Sequence, residues 1–307
     1  MPCAEAQGFL LTSMVYFFQQ VLNGLQLGFV YALVALGYTM VYGIVRLINF
    51  AHGDVFMVGA FLAYYAISYF QLSLPVAMIV SMAGCTLLGV TIERVAYRPL
   101  RRAPRIAALI TAIGVSLFLE YFCSLKFVFG PNYLSFPRPF EVTTWEWAGI
   151  NFSNIQVIIF AVAIFLLVLL QYIVHHTKMG KAMRAVSFDH DTARLMGINV
   201  DSVISFTFGL GSALAAAGGC LYGIAYPQIN PFMGIMPGLK AFVAAVLGGI
   251  GIIPGALVGA LIMGIAEVLT SAFISSTLRD GVAFGILILV LMVKPSGILG
   301  RKSGEKV

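Results

Sequence analysis

Charged residues are scarce in this sequence. Asp, Glu, Lys and Arg together make up 10% of its 307 residues, whereas hydrophobic residues make up 60%. A typical soluble domain contains about 25% charged residues, so this chain has too few charges to solvate a globule of its size. The scarcity of charge excludes a soluble enzyme, an intrinsically disordered chain and a nucleic-acid-binding domain as the main interpretation.

Cysteine is scarce as well. Cys3, Cys85, Cys123 and Cys220 are widely separated, and none has a histidine at metal-ligand spacing. The cysteines therefore indicate neither a disulfide framework nor a zinc site. The first 13 residues contain no lysine or arginine. A cleaved signal peptide would carry positive charge there, so we expect the N-terminus to be retained.

The sequence also has no phosphate-binding loop. Nothing in it matches G-x-x-x-x-G-K-[ST], and the tail Gly297-Ile-Leu-Gly-Arg-Lys-Ser has the wrong spacing. There is no His/Glu metal motif in an apolar segment and no Ser-His pair in a recognisable context. We therefore expect no catalytic residues, no metal and no bound cofactor. If ATP drives this protein, another chain binds and hydrolyses it.

Long apolar stretches dominate the sequence. About 20 helical residues cross the roughly 30 Å hydrocarbon layer of a bilayer. Eight or nine stretches qualify, at about residues 15–45, 55–70, 75–96, 106–129, 155–174, 203–226, 239–253, 255–274 and 282–293. The connections between them are short. The pattern predicts an all-α polytopic membrane protein with one domain over residues 1–307.

Glycine and proline mark close contacts and breaks in these helices. The spacings Gly24 to Gly28 and Gly255 to Gly259 suit close approach of two helix backbones in lipid. The glycine-rich run 247–251, followed by Pro254, indicates a broken or re-entrant segment of the kind that lines cavities.

The basic residues predict the orientation in the membrane. They cluster at residues 94–105, 178–194 and 294–306, whereas Arg138 is the only basic residue of the segment 130–154. Short loops rich in Arg and Lys stay on the cytoplasmic side. We therefore expect the N-terminus and residues 130–154 to lie outside, and residues 175–202 and the C-terminus to lie in the cytoplasm.

Three ionisable residues fall deep within apolar segments: Glu120, Lys240 and Glu267. Such residues are costly in a membrane and are candidates for function. The pattern leaves alternatives open. Each carboxyl can be a hydrogen-bonded join between helices or part of a proton relay, and Lys240 can snorkel to the outer interface.

A polar break separates the first two apolar helices. It reads Arg46-Leu-Ile-Asn-Phe-Ala-His-Gly-Asp54. One interpretation is a solvated turn with His52 at the surface. The other is a place on a solute pathway or its gate, for which Asn49, His52 and Asp54 are candidates together with the deep residues Lys240 and Glu267.

The longest cytoplasmic loop contains a second distinctive segment. Val186, Ala193, Leu195 and Met196 recur at helical spacing among charges, and Gly197 provides a helix stop. The spacing predicts a short amphipathic helix. Such a helix either lies on the membrane surface or docks in a groove of another protein.

Seven short segments, spread in collinear order over nearly the whole chain, have counterparts in one protein family. They are Asn23-Gly-Leu-Gln-Leu-Gly-Phe-Val-Tyr-Ala-Leu, Gly37-Tyr-Thr-Met-Val-Tyr-Gly, Ile48-Asn-Phe-Ala-His-Gly-Asp, Ile92-Glu-Arg-Val-Ala-Tyr-Arg-Pro, Met196-Gly-Ile-Asn, Lys240-Ala-Phe-Val-Ala-Ala-Val-Leu-Gly-Gly-Ile-Gly and Pro295-Ser-Gly-Ile-Leu-Gly-Arg. These segments closely resemble the LivH-type permeases of high-affinity branched-chain amino acid importers. The run from Asp191 to Gly197 also resembles the E-A-A-x-x-x-G coupling loop of ABC importer permeases, with Asp for Glu and Thr192 for the middle Ala.

The resemblance implies a function and a set of partners. It implies a permease subunit in the bacterial inner membrane that moves leucine, isoleucine and valine, with Asp191, Ala193 and Gly197 in its ATPase-coupling loop. It also implies a second permease of LivM type, two cytoplasmic ABC ATPases and a periplasmic substrate-binding protein. The alternative is a self-sufficient secondary transporter or channel for a small polar solute. A polytopic membrane enzyme is a third class, for which no nucleophile or metal set is visible.

Overall fold

The computed structural model describes residues 2–101, 103–147, 149–294 and 296–300. The basic positions Arg102, Arg301, Lys302 and Lys306 lie outside the described residues. The described chain is mainly helical, as the sequence predicts. Its helices are α1 (Pro2–Val45), α2 (His52–Ser68), α3 (Leu74–Ile92), α4 (Arg105–Cys123), α5 (Asn154–His176), α6 (Lys178–Phe188), α7 (His190–Leu195), α8 (Val200–Ala225), α9 (Ile235–Gly248), α10 (Ile253–Phe273) and α11 (Arg279–Val293).

Nine of these helices coincide with the nine predicted apolar stretches. Within the described residues, six are long and apolar enough to cross a membrane, namely α1, α3, α4, α5, α8 and α10. The other three are shorter, with 17 residues in α2, 14 in α9 and 15 in α11. Proline in the first turn of α3 and of α10 suits a helix start, because no intrahelical bond needs its missing N–H.

Short strands and a π-helix are features that hydropathy does not predict. Strand β1 (Leu134–Ser135) pairs antiparallel with β4 (Gln228–Ile229), which follows α8. Strands β2 (Thr144–Trp147) and β3 (Ile150–Ser153) form a hairpin in the predicted outer loop. After α3 the chain continues as a π-helix, Glu93–Tyr97, and a 3₁₀ turn, Arg98–Leu100.

Helices α1, α2 and α8 form the centre of the bundle. The most apolar windows of α1 and α8 are 78% and 83% buried, against 28% for α3, α4 and α5. The outer helices therefore direct most of their apolar side chains away from this chain, toward lipid or another subunit. Burial of apolar surface does not drive helix association in lipid, so the central contacts depend on close packing.

Glycine provides that close packing at both predicted sites. Gly24 and Gly28 of α1 lie against α10, and a Cβ on Gly24 would stand 2.7 Å from the Cα of Ile265. Gly255 and Gly259 of α10 lie against the backbone of α9 on the other side. Both predicted helix contacts are confirmed, and α10 is held between α1 and α9 by backbone-to-backbone contact.

The polar break after α1 folds back into the bundle. Helix α1 ends at Val45, and Arg46 then takes a positive φ of 55°. Helix α2 begins at His52, whose ring lies against Gly37 of α1 and leaves no room there for a Cβ. Gly37 is about eight residues before the end of α1, or about 12 Å along its axis. Residues 46–51 are therefore a re-entrant segment, and α2 starts inside the bundle.

The predicted break before Pro254 is also present. Helix α9 ends at Gly248, and Gly249 and Gly251 adopt φ of 109° and 92° before α10 begins at Ile253. Only glycine takes such positive φ values without strain. This break reverses the chain direction and brings Gly251 close to Gly43 at the end of α1.

Candidate functional site

The predicted cytoplasmic loop is a folded unit of two helices. Thr177 caps α6 by accepting a hydrogen bond from the backbone N–H of Gly180 at 3.0 Å. Met183 and Val186 on α6 are buried, and the Arg184 guanidinium donates to the carbonyl oxygen of Val174 at the end of α5. The loop therefore has a fixed position on the bundle.

Helix α7 is the predicted short helix, and Gly197 ends it. Asp189 caps its N-terminus, and its Oδ1 accepts from the backbone N–H of Thr192 at 2.7 Å. This hydrogen bond to the charged form lowers the pKa of the Asp189 carboxyl below its ordinary value. Gly197 has a φ of 81°, the left-handed conformation of a helix stop.

The apolar residues of this segment do not form one face, contrary to the expectation from their spacing. Ala193 is 4% exposed and packs within its own chain, as does Val186. Leu195 and Met196 are 87% and 79% exposed. Ala193 thus anchors α7 to the bundle, and the side chains that project outward are Leu195, Met196 and the charged Asp191.

A histidine that the sequence did not single out ties this loop to α1. Nε2 of His190 lies 2.9 Å from the carbonyl oxygen of Ile44, to which it donates. Ile44 is the penultimate residue of α1, directly before the re-entrant segment. A lone histidine in a polar loop carries no sequence signal for such a contact, because its partner is 146 residues away.

A cavity of about 170 Å³ lies where the first turns of α2 and α9 approach each other. Gly53 of α2 packs directly against Gly234 and Gly238 at the start of α9. The polar side chains in the lining include Asp54, Ser116 and Glu120, and Ser116 donates a hydrogen bond to Oδ2 of Asp54. Glu120 and Asp54, which the sequence analysis treated separately, share one site.

The three candidates from the polar break are all interior residues. Asn49, His52 and Asp54 are 4%, 1% and 2% exposed, so the interpretation with His52 on a solvated turn is wrong. They do not act as one group. Asn49 accepts a hydrogen bond from Tyr97, and the His52 ring packs edge-on against Tyr38 with centroids 4.8 Å apart. Of the three, Asp54 lines the cavity.

Lys240 and Glu267 belong to a separate ion network. Nζ of Lys240 lies 2.7 Å from Oε1 of Glu267 and 2.7 Å from Oδ1 of Asp280, and Nε of Arg279 lies 3.0 Å from Oε1 of Glu267. Tyr31 donates to the other oxygen of Glu267 at 3.0 Å. We call these five residues the Lys240 network.

The Lys240 network bears on the alternatives for these residues. Lys240 is 1% exposed, so it does not snorkel to the interface. Glu267 accepts hydrogen bonds from Tyr31 and Lys240 and so joins helices, while a proton relay through it stays a prediction. Two cations and two carboxylates balance in charge, and the network connects α1, α9, α10 and the start of α11. Neither Lys240 nor Glu267 lines the cavity at Asp54.

Two further cavities follow α4 from the Asp54 cavity toward the α6 and α7 end of the bundle. The first, of about 270 Å³, is lined by Tyr42, Leu47, Ile106 and Leu109 among others. The second has a volume of about 790 Å³, and its polar lining residues are Arg46, Arg98, Arg101, His190, Asp191, Arg194 and Asp201. Both include Arg46, Leu47 and Ala108 in their linings. The series runs from buried carboxyls to a basic mouth. No group of three or more His, Cys, Asp or Glu in the described residues is arranged to hold a metal ion.

A membrane helix bundle with a re-entrant segment, a cavity lined in part by buried polar side chains and a folded loop that presents apolar side chains has the features of a transport protein of the permease class. The chain belongs to the family described as the permease component of branched-chain amino acid transport systems, whose model matches residues 20–291.

Relatives at high coverage agree with this membership. The chain is 45% identical to the high-affinity branched-chain amino acid transport system permease protein LivH of Salmonella typhimurium, with 95% of this chain and 98% of the relative covered. It is 43% identical to BraD of Pseudomonas aeruginosa, with the same coverages. It is 24% identical to LivM of Salmonella typhimurium, with 88% of this chain and 68% of that protein covered.

Proposed function

We propose that this chain is the permease subunit of an ABC importer for leucine, isoleucine and valine. The observation that carries the proposal is its 45% identity, over 95% of the chain, to a permease named for branched-chain amino acid transport. In this proposal the chain has no nucleotide site and no cofactor of its own. Its partners are a LivM-type permease, two cytoplasmic ABC ATPases and a periplasmic substrate-binding protein.

The exposed part of the loop supports docking of an ATPase. An apolar pair at the end of α7, Leu195 and the C-cap residue Met196, is exposed beside Asp191. A helix that is fixed at its base and projects apolar side chains suits a groove on a partner protein. Ala193 and Gly197 act indirectly, since they set the position and the end of α7.

The cavities along α4 support a translocation route. A zwitterionic amino acid loses hydration when it crosses a low-dielectric layer, so polar partners along the way lower the barrier. Such partners lie at the end of the route that is far from α6 and α7, where Asp54, Ser116 and Glu120 line the cavity. The basic mouth provides polar partners for the carboxylate at the exit. Lys240 and Glu267 act in this proposal by holding the helices that flank the route.

The distribution of basic residues supports the orientation. The loop with α6 and α7 contains Lys178, Lys181, Arg184 and Arg194. The cavity of about 790 Å³ beside this loop is also lined by Arg98 and Arg101. Positive residues favour the cytoplasmic side. The protein is then a multi-pass inner-membrane protein with its N-terminus outside and its C-terminus in the cytoplasm.

Reconstitution tests the proposed function. Proteoliposomes that contain this chain with the second permease, the ATPases and the binding protein should take up leucine only when ATP is supplied. This chain alone should hydrolyse no ATP and accumulate no leucine. Leucine accumulation by the chain alone, driven by a proton or sodium gradient, would contradict the proposal and establish the secondary transporter instead.

A bulky side chain in the Asp54 cavity tests the route. Leu117 lines this cavity, so Leu117→Trp should reduce leucine uptake by the reconstituted complex to background, because the indole fills space that the cargo needs. Phe118→Trp on the same helix is the control. Phe118 is 63% exposed and lies outside the cavity lining. Both variants should still co-purify with the second permease. Equal uptake by the two variants would remove the cavity from the route.

A further inference from the structure

The segment Glu93 to Arg98 contains a buried acid that the sequence analysis did not single out and that the translocation route does not use. Glu93 is 0% exposed and begins the π-helix after α3. Its Oε2 accepts a hydrogen bond from Oγ of Ser205 on α8 at 2.6 Å, and its Oε1 is paired with Arg101. A fully buried carboxylate is retained only when it is paired.

The ion pairs continue from Glu93 to the base of α8. Arg101 also contacts Asp201, and Nη2 of Arg98 lies 2.6 Å from the second oxygen of Asp201. Asp201 is in the first turn of α8, four residues after the Gly197 stop of α7. A shift of the coupling helix α7 therefore acts on α8 at the point where α8 holds Arg98 and Arg101.

The far end of the π-helix reaches the re-entrant segment. The hydroxyl of Tyr97, which is 1% exposed, donates to Oδ1 of Asn49 at 2.9 Å. The Tyr97 ring packs on Phe208 of α8 with centroids 5.3 Å apart. The backbone carbonyl oxygen of Asn49 accepts a hydrogen bond from the backbone N–H of His52, the first residue of α2, at 3.1 Å. Asp54 follows two residues later in the same turn.

These contacts form a continuous path from the loop to the cavity. It runs from α7 through Asp201, Arg101 and Glu93 to the π-helix, and from Tyr97 through Asn49 to the start of α2. A π-helix is rare and frequently lies at a functional site. Here it lies between two charged or polar anchors, one at each end.

We propose that this π-helix transmits movement of the coupling loop to the re-entrant segment, and that Tyr97 is the positioning residue that couples ATP hydrolysis to opening of the Asp54 cavity. The inference rests on the proposed function. The hydrogen bond from Tyr97 to Asn49 is the step of the path that depends on a single interaction, because this one bond joins the π-helix to the segment before α2. Without this hydrogen bond, the ATPases still hydrolyse ATP, but movement of the coupling loop no longer moves α2.

The test uses the complete complex in proteoliposomes, with uptake and ATP hydrolysis measured on the same sample. Tyr97→Phe removes one hydroxyl and keeps the ring that packs on Phe208. Leucine taken up per ATP hydrolysed should fall at least about fivefold, the lower end of a typical coupling between two sites, while ATP hydrolysis stays within about twofold of the unmodified complex. Tyr65→Phe, in the outer part of α2, is the matched control and should change neither quantity.

A double-mutant cycle separates the hydrogen bond from general damage. Asn49→Ala should lower the uptake per ATP as Tyr97→Phe does, and the double variant should lose no more than the larger single loss. Additive losses would overturn the proposal. So would an unchanged ratio in Tyr97→Phe, or a proportional fall of hydrolysis and uptake, which a purely structural role produces. If Asn49→Ala fails to assemble, Tyr97→Phe alone decides.

Failure of the proposed function gives a different result. In that case the unmodified complex shows no ATP-dependent uptake, and no ratio exists to compare. Failure of the inference alone leaves normal uptake in the unmodified complex and an unchanged ratio in Tyr97→Phe.

Discussion

Lys240→Met is expected to destabilise the folded protein by about 3–5 kcal/mol, the usual effect of removing one partner from a buried ion pair. The substitution leaves Glu267, which is 1% exposed, and Asp280 with only Arg279 to balance them. An uncompensated carboxylate inside the bundle is costly in low dielectric. The measurement is the thermal unfolding temperature of the complex in detergent, together with the amount that reaches the membrane.

A second substitution distinguishes charge imbalance from loss of packing. Lys240→Met combined with Glu267→Gln removes one charge of each sign and leaves Arg279 with Asp280. The double variant should recover most of the lost stability, because replacing both members of a buried pair is often nearly neutral. Lys126→Met, at an exposed position, should have no effect. A stable Lys240→Met variant, or a double variant less stable than it, would contradict the role assigned to the network.

Leu195→Asp is expected to release the ATPases and to lower leucine uptake at least about tenfold. The side chain is 87% exposed on α7, so an aspartate there does not disturb the fold of this chain. An interface hot spot contributes about 2 kcal/mol or more, which is more than a tenfold change in affinity, and an aspartate enclosed in an apolar groove adds the cost of an unpaired charge. Co-purification of the ATPases with the permease, measured beside uptake, checks the result.

Two other substitutions should give the same loss through a different step. Ala193→Arg cannot keep its buried position, and Gly197→Val cannot adopt the φ of 81° without strain, so each displaces α7 while insertion into the membrane continues. Lys181→Asp, an exposed change on α6, is the control and should leave both readouts intact. Normal ATPase association and uptake in all three loop variants would remove the loop from the mechanism.

Thiol labelling of intact cells checks the orientation on which this prediction depends. An impermeant reagent should label a cysteine at Thr144, in the hairpin, and should not label one at Asp189, which caps α7. The reverse pattern would place α7 outside, where the ATPases cannot reach it.

Local patterns in the sequence were sufficient for the approximate positions of the apolar helices, although the predicted stretch 239–253 ends five residues beyond α9. Apolar runs of helical length predicted eight or nine helices because a membrane requires every backbone group to be paired within its own segment. Glycine positions predicted a close helix contact on α1 and another on α10, the break after α9 and the end of α7, because each depends on the missing Cβ of glycine; the structure supplied the partners of the two contacts. The collinear motifs were sufficient for the class of protein.

Tertiary structure alone decided which polar residues meet. Tyr31 and Glu267 are 236 residues apart, Tyr97 and Asn49 are 48 apart, and His190 and Ile44 are 146 apart. No periodicity encodes such distances. In helices that are apolar on all sides, no amphipathic stripe marks the inner face, so the sequence could not show that Lys240 is enclosed or that α2 begins inside the bundle. Helix α7 is short and polar, and the spacing of its apolar residues did not show that Ala193 faces inward while Leu195 faces outward. Those positions follow from how α1, α8, α9 and α10 pack, which is a property of the whole chain.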